Sequence, residues 1–103
     1  MTYTLKLHRS IEKQISRIPG KFRSRIVKSM RDLRDEPRPH GCVKLDQNLY
    51  RIRIGQYRLI YAVFDKELIV FVCKAARRTD DTYRDLRMLL DRVINQVRDN
   101  END

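Results

Sequence analysis

Apolar residues recur along this chain with two different periods, and the change of period marks its elements. Residues 2–8 alternate, with Tyr3, Leu5 and Leu7 on one side, which predicts a short strand. Ile11, Ile15 and Ile18 then fall at i, i+4 and i+7, the spacing of one helix face, with Ser10 placed to cap it. Pro19-Gly20 interrupts that helix. A second helix follows, with Phe22, Ile26, Met30 and Leu33 on one stripe and Lys and Arg on the other. It has to end before Pro37, because the residue preceding a proline is pushed out of helical geometry. Two amphipathic helices separated by so short a break predict an antiparallel helical hairpin.

Residues 38–48 read as a loop punctuated by Pro39 and Gly41. Residues 49–54, 57–64 and 68–75 read as strands. Gly55-Gln56 joins the first two with glycine leading, the order a type II′ hairpin prefers, and Asp65-Lys66-Glu67 marks the next turn. Residues 68–73 are apolar at every position, which predicts a central strand covered on both faces. Thr79 or Asp80 can cap a last helix carrying Tyr83, Leu86, Leu90, Val93 and Val97 at helical spacing. The order of strand, two helices, three strands and helix predicts a single α+β domain over residues 1–98. Its antiparallel sheet packs on the helical hairpin, and residues 99–103 form a polar, acidic tail.

Composition narrows the partners. A chain of 103 residues can bury one core without disulfide staples. Lys and Arg number 23 against 14 Asp and Glu, a net charge of +9, and three of those acids lie in the last five residues. Such an excess favours a polyanionic partner, although a merely solvated basic surface satisfies it too. Cys42 and Cys73 stand alone, without zinc-ligand spacing, so reduced thiols and no metal or cofactor are expected. No apolar run is long enough to span a bilayer, and residues 1–4 lack the order of a signal peptide. The expected location is the cytoplasm, with no membrane partner.

The sharpest chemical signal lies in the hairpin. With Gly55 and Gln56 as the turn, Arg53 faces Arg58 directly, and Arg51, Arg53, Arg58 and Ile60 share one sheet face. Tyr50, Ile52, Ile54, Tyr57, Leu59, Tyr61 and Val63 take the other face and should pack on the helices. Continuing the alternation through the next turn puts Ile69, Phe71, Cys73, Ala75 and Arg77 on the arginine face. Like charges directly opposite across strands are destabilising, and guanidinium forks match phosphate geometry. The cluster therefore predicts an anion site, against the alternative of arginines splayed into water. Tyr83 could overhang the same sheet end and stack on a base, or sit as a core residue of the last helix. His8 and His40 are isolated, and Asp46, Asp65 and Glu67 occupy turns. No phosphate loop, triad or metal constellation is present.

Residues 49–61, Leu-Tyr-Arg-Ile-Arg-Ile-Gly-Gln-Tyr-Arg-Leu-Ile-Tyr, resemble the central hairpin of RelE-type toxins, and Val70-Phe71-Val72 through Lys74, Ala76-Arg77-Arg78 and Tyr83 resemble that family's last strand and Lys-Arg…Tyr signature. The resemblance spans roughly residues 3–90 and implies a RelE-like fold. It also implies a ribosome-dependent endoribonuclease that cuts messenger RNA in the A site by 2′-hydroxyl attack, without metal, leaving a 2′,3′-cyclic phosphate. On that resemblance Arg51 and Arg53 fall where the family has catalytic lysines. Arg58 and Arg77 match the arginines that hold the scissile phosphate, and Tyr83 matches the tyrosine that stacks on the messenger base. Lys44, Lys74 and Arg78 are expected to contact RNA. Arginine cannot lose a proton as lysine can, so the general base is a point of departure from the family. The resemblance implies a cognate antitoxin with an acidic, helical inhibitory segment, and operator DNA bound only through the toxin–antitoxin complex. Two alternatives stand beside it: the ParE branch of the superfamily, which poisons DNA gyrase, and a non-catalytic nucleic-acid-binding domain.

Overall fold

The computed structural model describes residues 2–77, with Met88, Asp91 and Asn95 as separate helical positions. The predicted caps Thr79 and Asp80, the acidic tail, Arg78 and Tyr83 lie outside the described residues, as does the predicted domain boundary at residue 98.

The first strand, β1 (Thr4–Leu7), leads into α1 (Ile11–Ser16) and α2 (Gly20–Asp32). Four strands follow: β2 (Val43–Asp46), β3 (Leu49–Ile54), β4 (Tyr57–Phe64) and β5 (Ile69–Arg77). They form one five-stranded sheet in the order β1-β5-β4-β3-β2. From β2 to β5 the sheet is an antiparallel meander, and β1 adds a parallel edge to β5 with Leu5 opposite Val70. The fold is α+β, as the element order predicted.

β3 and β4 run over the residues their alternation predicted. β2 is an addition within the predicted loop: its four residues alternate too briefly to stand out, and it pairs with β3 through a Gln47-Asn48 turn in which Asn48 takes φ +62°. Leu68 is the last residue of the turn rather than the first of β5, with φ +54°. Ser10 occupies the predicted cap position, but its hydroxyl does not cap α1. It lies 2.6 Å from His8 Nδ1 and accepts from Gln14 Nε2 at 3.1 Å.

The main core lies between the helices and the sheet. Ile11, Ile18, Ile26, Met30 and Leu33 pack against Tyr50, Ile54, Tyr57, Leu59, Tyr61 and Val63, all of them buried, and Ile52 joins from the edge. A second buried cluster, Leu49, Ile60, Ala62, Phe64, Phe71 and Cys73, forms on the other sheet face, so β5 is covered on both sides, as its continuous apolar run predicted, and β4 is covered with it. No helix among the described residues is long and apolar enough to cross a membrane.

Candidate nucleic-acid interface

The β3–β4 hairpin sets the site. Its register pairs Ile54 with Tyr57, Arg53 with Arg58 and Arg51 with Ile60. Arg51, Arg53 and Arg58 therefore share a face, as the two-residue turn predicted. Arg53 is exposed, and Arg51 and Arg58 are half-buried. Gly55 takes φ +61°, which a glycine adopts without steric cost. A Cβ at Gly55 would lie 2.9 Å from the Phe22 ring of α2. Phe22 also packs on Tyr57, with ring centroids 5.4 Å apart. The helix thus grips the hairpin at the tip that carries the opposed arginines.

β5 departs from the predicted parity. Tyr61 pairs with Val72 but Ile60 pairs with Lys74, so Cys73 is an extra residue in a β-bulge. Before the bulge, Ile69 and Phe71 lie on the arginine face as predicted. Beyond it the alternation is inverted. Lys74 and Ala76 come onto the face of Arg58, while Ala75 packs into the helix-side core and Arg77 pairs with Tyr57. The expectation that Arg77 joins the arginine cluster is thereby corrected: its guanidinium carbon lies 5.9 Å from the Tyr57 ring centroid, on the opposite face. Lys44 is likewise separated from the cluster, because it pairs with helix-facing Tyr50 at the sheet edge. The described part of the site is thus Arg51, Arg53 and Arg58 with half-buried Lys74 on one face, and Arg77 behind them on the other.

The bulge is held from outside the sheet. β1 ends at Leu7, opposite Val72, so among the described residues the outer edge of β5 continues without a strand partner. There the Ala75 N–H donates to Gln14 Oε1 of α1 at 2.9 Å. A buried amide left unpaired is costly, so a side chain from α1 does the work of a ladder bond. Cys73, the extra residue, is buried, and burial pushes its thiol up to about 12. It acts as a small apolar group on the arginine face.

The opposite end of the sheet carries a different polar cluster. Arg38 donates to Asp65 through both terminal nitrogens, at 2.7 and 3.2 Å, and through Nε to Tyr50 Oη at 2.9 Å. Tyr3 donates to Asp65 at 2.6 Å, and Tyr61 donates to the Pro37 carbonyl at 2.8 Å. The hydrogen bonds from Arg38 and then Tyr3 hold the Asp65 carboxyl below its ordinary range. Asp65, read from the sequence as a turn residue, is also the anchor of this cluster. Its partner Arg38 gave no signal, because one more arginine in a loop is ordinary in so basic a chain.

Residues 2–82 match the family model described as the ParE toxin of type II toxin-antitoxin system, parDE. Among solved structures, a chain of the archaeal RelE–RelB complex from Pyrococcus horikoshii is similar at 28% identity and TM-score 0.67, over 79% of this chain and 100% of that one. A chain of the RelBE2 toxin–antitoxin complex from Mycobacterium tuberculosis is similar at 23% identity and TM-score 0.65, over 78% of this chain and 95% of that one. The isolated RelE toxin of Escherichia coli is similar at 20% identity and TM-score 0.64, over 88% of this chain and 98% of that one. The last two likenesses concern the fold. No curated protein matches the chain.

Proposed function

The chain belongs to the ParE toxin family of type II toxin–antitoxin systems, within the RelE/ParE superfamily, and from that premise we propose that it is a RelE-type messenger RNA endonuclease acting in the ribosomal A site. The observation that carries this reading is the direct opposition of Arg53 and Arg58, with Arg51 and Lys74 on the same face. Such a cluster weakens the sheet and suits a phosphate. In this reading the 2′-hydroxyl attacks the adjacent phosphorus, the bond to the 5′-oxygen breaks, that oxygen takes a proton from water and leaves as a 5′-hydroxyl, and a 2′,3′-cyclic phosphate remains. Arg51, Arg53 and Arg58 stabilise the charge that accumulates on the phosphorane oxygens.

Arginine holds its proton at any physiological pH, so these three cannot take the proton of the 2′-hydroxyl. The proton goes instead to another group, Tyr83 or an atom of ribosomal RNA, and Lys74 adds a further cation on the arginine face. Arg77 binds RNA from the other face. Tyr83 stacks on a messenger base, Arg78 and Lys44 contact RNA outside the cut, and the complex works in the cytoplasm. A cognate antitoxin is supported by the RelE–RelB complexes among the structural relatives. Its inhibitory segment is acidic and helical and neutralises the basic groove, and operator DNA is bound through that complex.

Primer extension on a translated messenger, with and without ribosomes, tests the reading. Cuts within codons that appear only with ribosomes are the expected outcome. A second reading, a ParE-like gyrase inhibitor, is favoured by the description of the family model that matches. It requires intact messenger and inhibited supercoiling in a parallel assay. RNA binding with neither effect would leave a non-catalytic binding domain.

A further inference from the structure

The bulge that removes Arg77 from the arginine face delivers it to a cleft of about 360 Å³ between the α1–α2 connection and the end of the sheet. Ile18, Pro19, Tyr57 and Ala75 supply an apolar floor, and Arg17 and Arg77 supply cations from two separate elements. Among the described residues, no carboxylate lines the cleft. Both arginines are exposed. Arg77 lies against the Tyr57 ring, which orients its guanidinium, and Tyr57 is itself buried and backed by Phe22. On the α1 side, Gln14 ties the wall to β5 through the Ala75 amide. Arg17 is the C-cap residue of α1, where a cation is favourable beside the helix dipole. The dipole explains one cation there. It does not explain a second one, brought by a strand end to the same cleft.

We propose that this cleft takes a second phosphodiester of bound RNA, outside the cleaved linkage, between the Arg17 and Arg77 guanidinium groups, with ribose or base against Ile18 and Pro19. The inference rests on RNA being the partner and extends that reading to a site of its own. Continuity favours a nucleic-acid strand over an acidic peptide. Tyr57 and Arg58 are consecutive in β4 and point to opposite faces, and their β5 partners Arg77 and Ala76 are consecutive too. The cleft and the arginine face therefore meet at one sheet end, and a single polyanionic strand crossing that end passes from one to the other. Guanidinium forks fit phosphate oxygens in pairs, and an apolar platform beside them accepts any base or sugar without selecting sequence.

The test is equilibrium binding of a short, fully 2′-O-methylated RNA, which cannot be cut by 2′-hydroxyl attack, across a salt series. The proteins are wild type, Arg17→Gln and Arg17→Lys, each checked for unchanged circular dichroism and melting. Neutralising one phosphate of a single strand contributes about 0.7 to the slope of log K against log salt. Arg17→Gln is expected to lower that slope by about 0.7 and to weaken binding at low salt, while Arg17→Lys restores most of the slope. An unchanged slope in Arg17→Gln overturns the proposal, as does absence of RNA binding by the wild-type chain. An oligo-glutamate peptide serves as the second probe. If Arg17→Gln weakens its binding and leaves the RNA slope alone, the cleft is a carboxylate seat for a protein partner and the proposal fails. The primer-extension assay stands apart: a wild-type chain that cuts nothing but shows the Arg17-dependent slope keeps this site and loses the nuclease reading.

Discussion

Arg53 and Arg58 face each other directly across the hairpin. A directly opposed like-charge pair costs a few tenths to about 1 kcal/mol. Arg53→Thr, which keeps a good strand former, is therefore expected to raise the melting temperature slightly. The same change should lower messenger cleavage by about 10²-fold or more, as loss of a transition-state charge does. Thermal melting and a single-turnover cleavage assay on one preparation read both effects. Stability that falls with activity would mean the pair is structural. Lys74 separates two roles. If it takes the 2′-hydroxyl proton, Lys74→Arg preserves the charge yet loses as much rate as Lys74→Ala; if it only attracts phosphate, the arginine variant keeps most of the wild-type rate.

At the scale of elements, the hairpin is fixed by its turn and by a helix that closes over it. Any side chain at Gly55 meets a positive φ and a Phe22 carbon at 2.9 Å. Gly55→Ala is expected to destabilise by about 1–2 kcal/mol, measured by urea unfolding, from the left-handed backbone penalty alone. An ordinary midpoint in that variant would show that the turn relaxes and that Phe22 is not its clamp. This hairpin was legible in the sequence because three independent signals agreed: a glycine-led turn, strict alternation on both sides, and a helix stripe to cover the apolar face. β5 was legible as a strand and not in its facing. Residues 69–73 are apolar at every position, so no polar residue marks which side is which, and a bulge slips in without contradicting the pattern. That single extra residue decides whether Arg77 or Lys74 stands beside Arg58. The support for the bulge, a glutamine 61 residues away from Ala75, is invisible to any local reading. Gln14→Leu keeps the helix and leaves the Ala75 amide without its acceptor. It should cost about 1–3 kcal/mol, with accelerated hydrogen exchange at Ala75 as the local readout.

Across the whole molecule, the arginine end works against stability and the opposite end works for it. Arg38, Asp65, Tyr3 and Tyr50 join the N-terminal segment, the loop before β2, the β4–β5 turn and β3, segments up to 62 residues apart in sequence. Asp65 is the anion of this cluster, and its partners hold its carboxyl below the ordinary value of about 3.8. A group whose pKa is depressed on folding contributes stability that is fully present above its unfolded value and vanishes as pH falls through its folded value. Wild type should therefore exceed Asp65→Asn by a constant margin from pH 7 to about 5. The margin should shrink below the ordinary carboxylate range and close once Asp65 is protonated in both states. The side chains of Arg38 and Asp65 are 41% and 58% exposed, so water screens the pair, and a margin of the order of 1 kcal/mol is expected. Urea unfolding of both proteins between pH 7 and 2 measures it. A margin that persists unchanged at the acid end would mean the asparagine disturbs packing rather than charge. In that case this end of the sheet is held by packing such as the tyrosine stack of Tyr50 on Tyr61, 5.8 Å between centroids, and not by the ion pair.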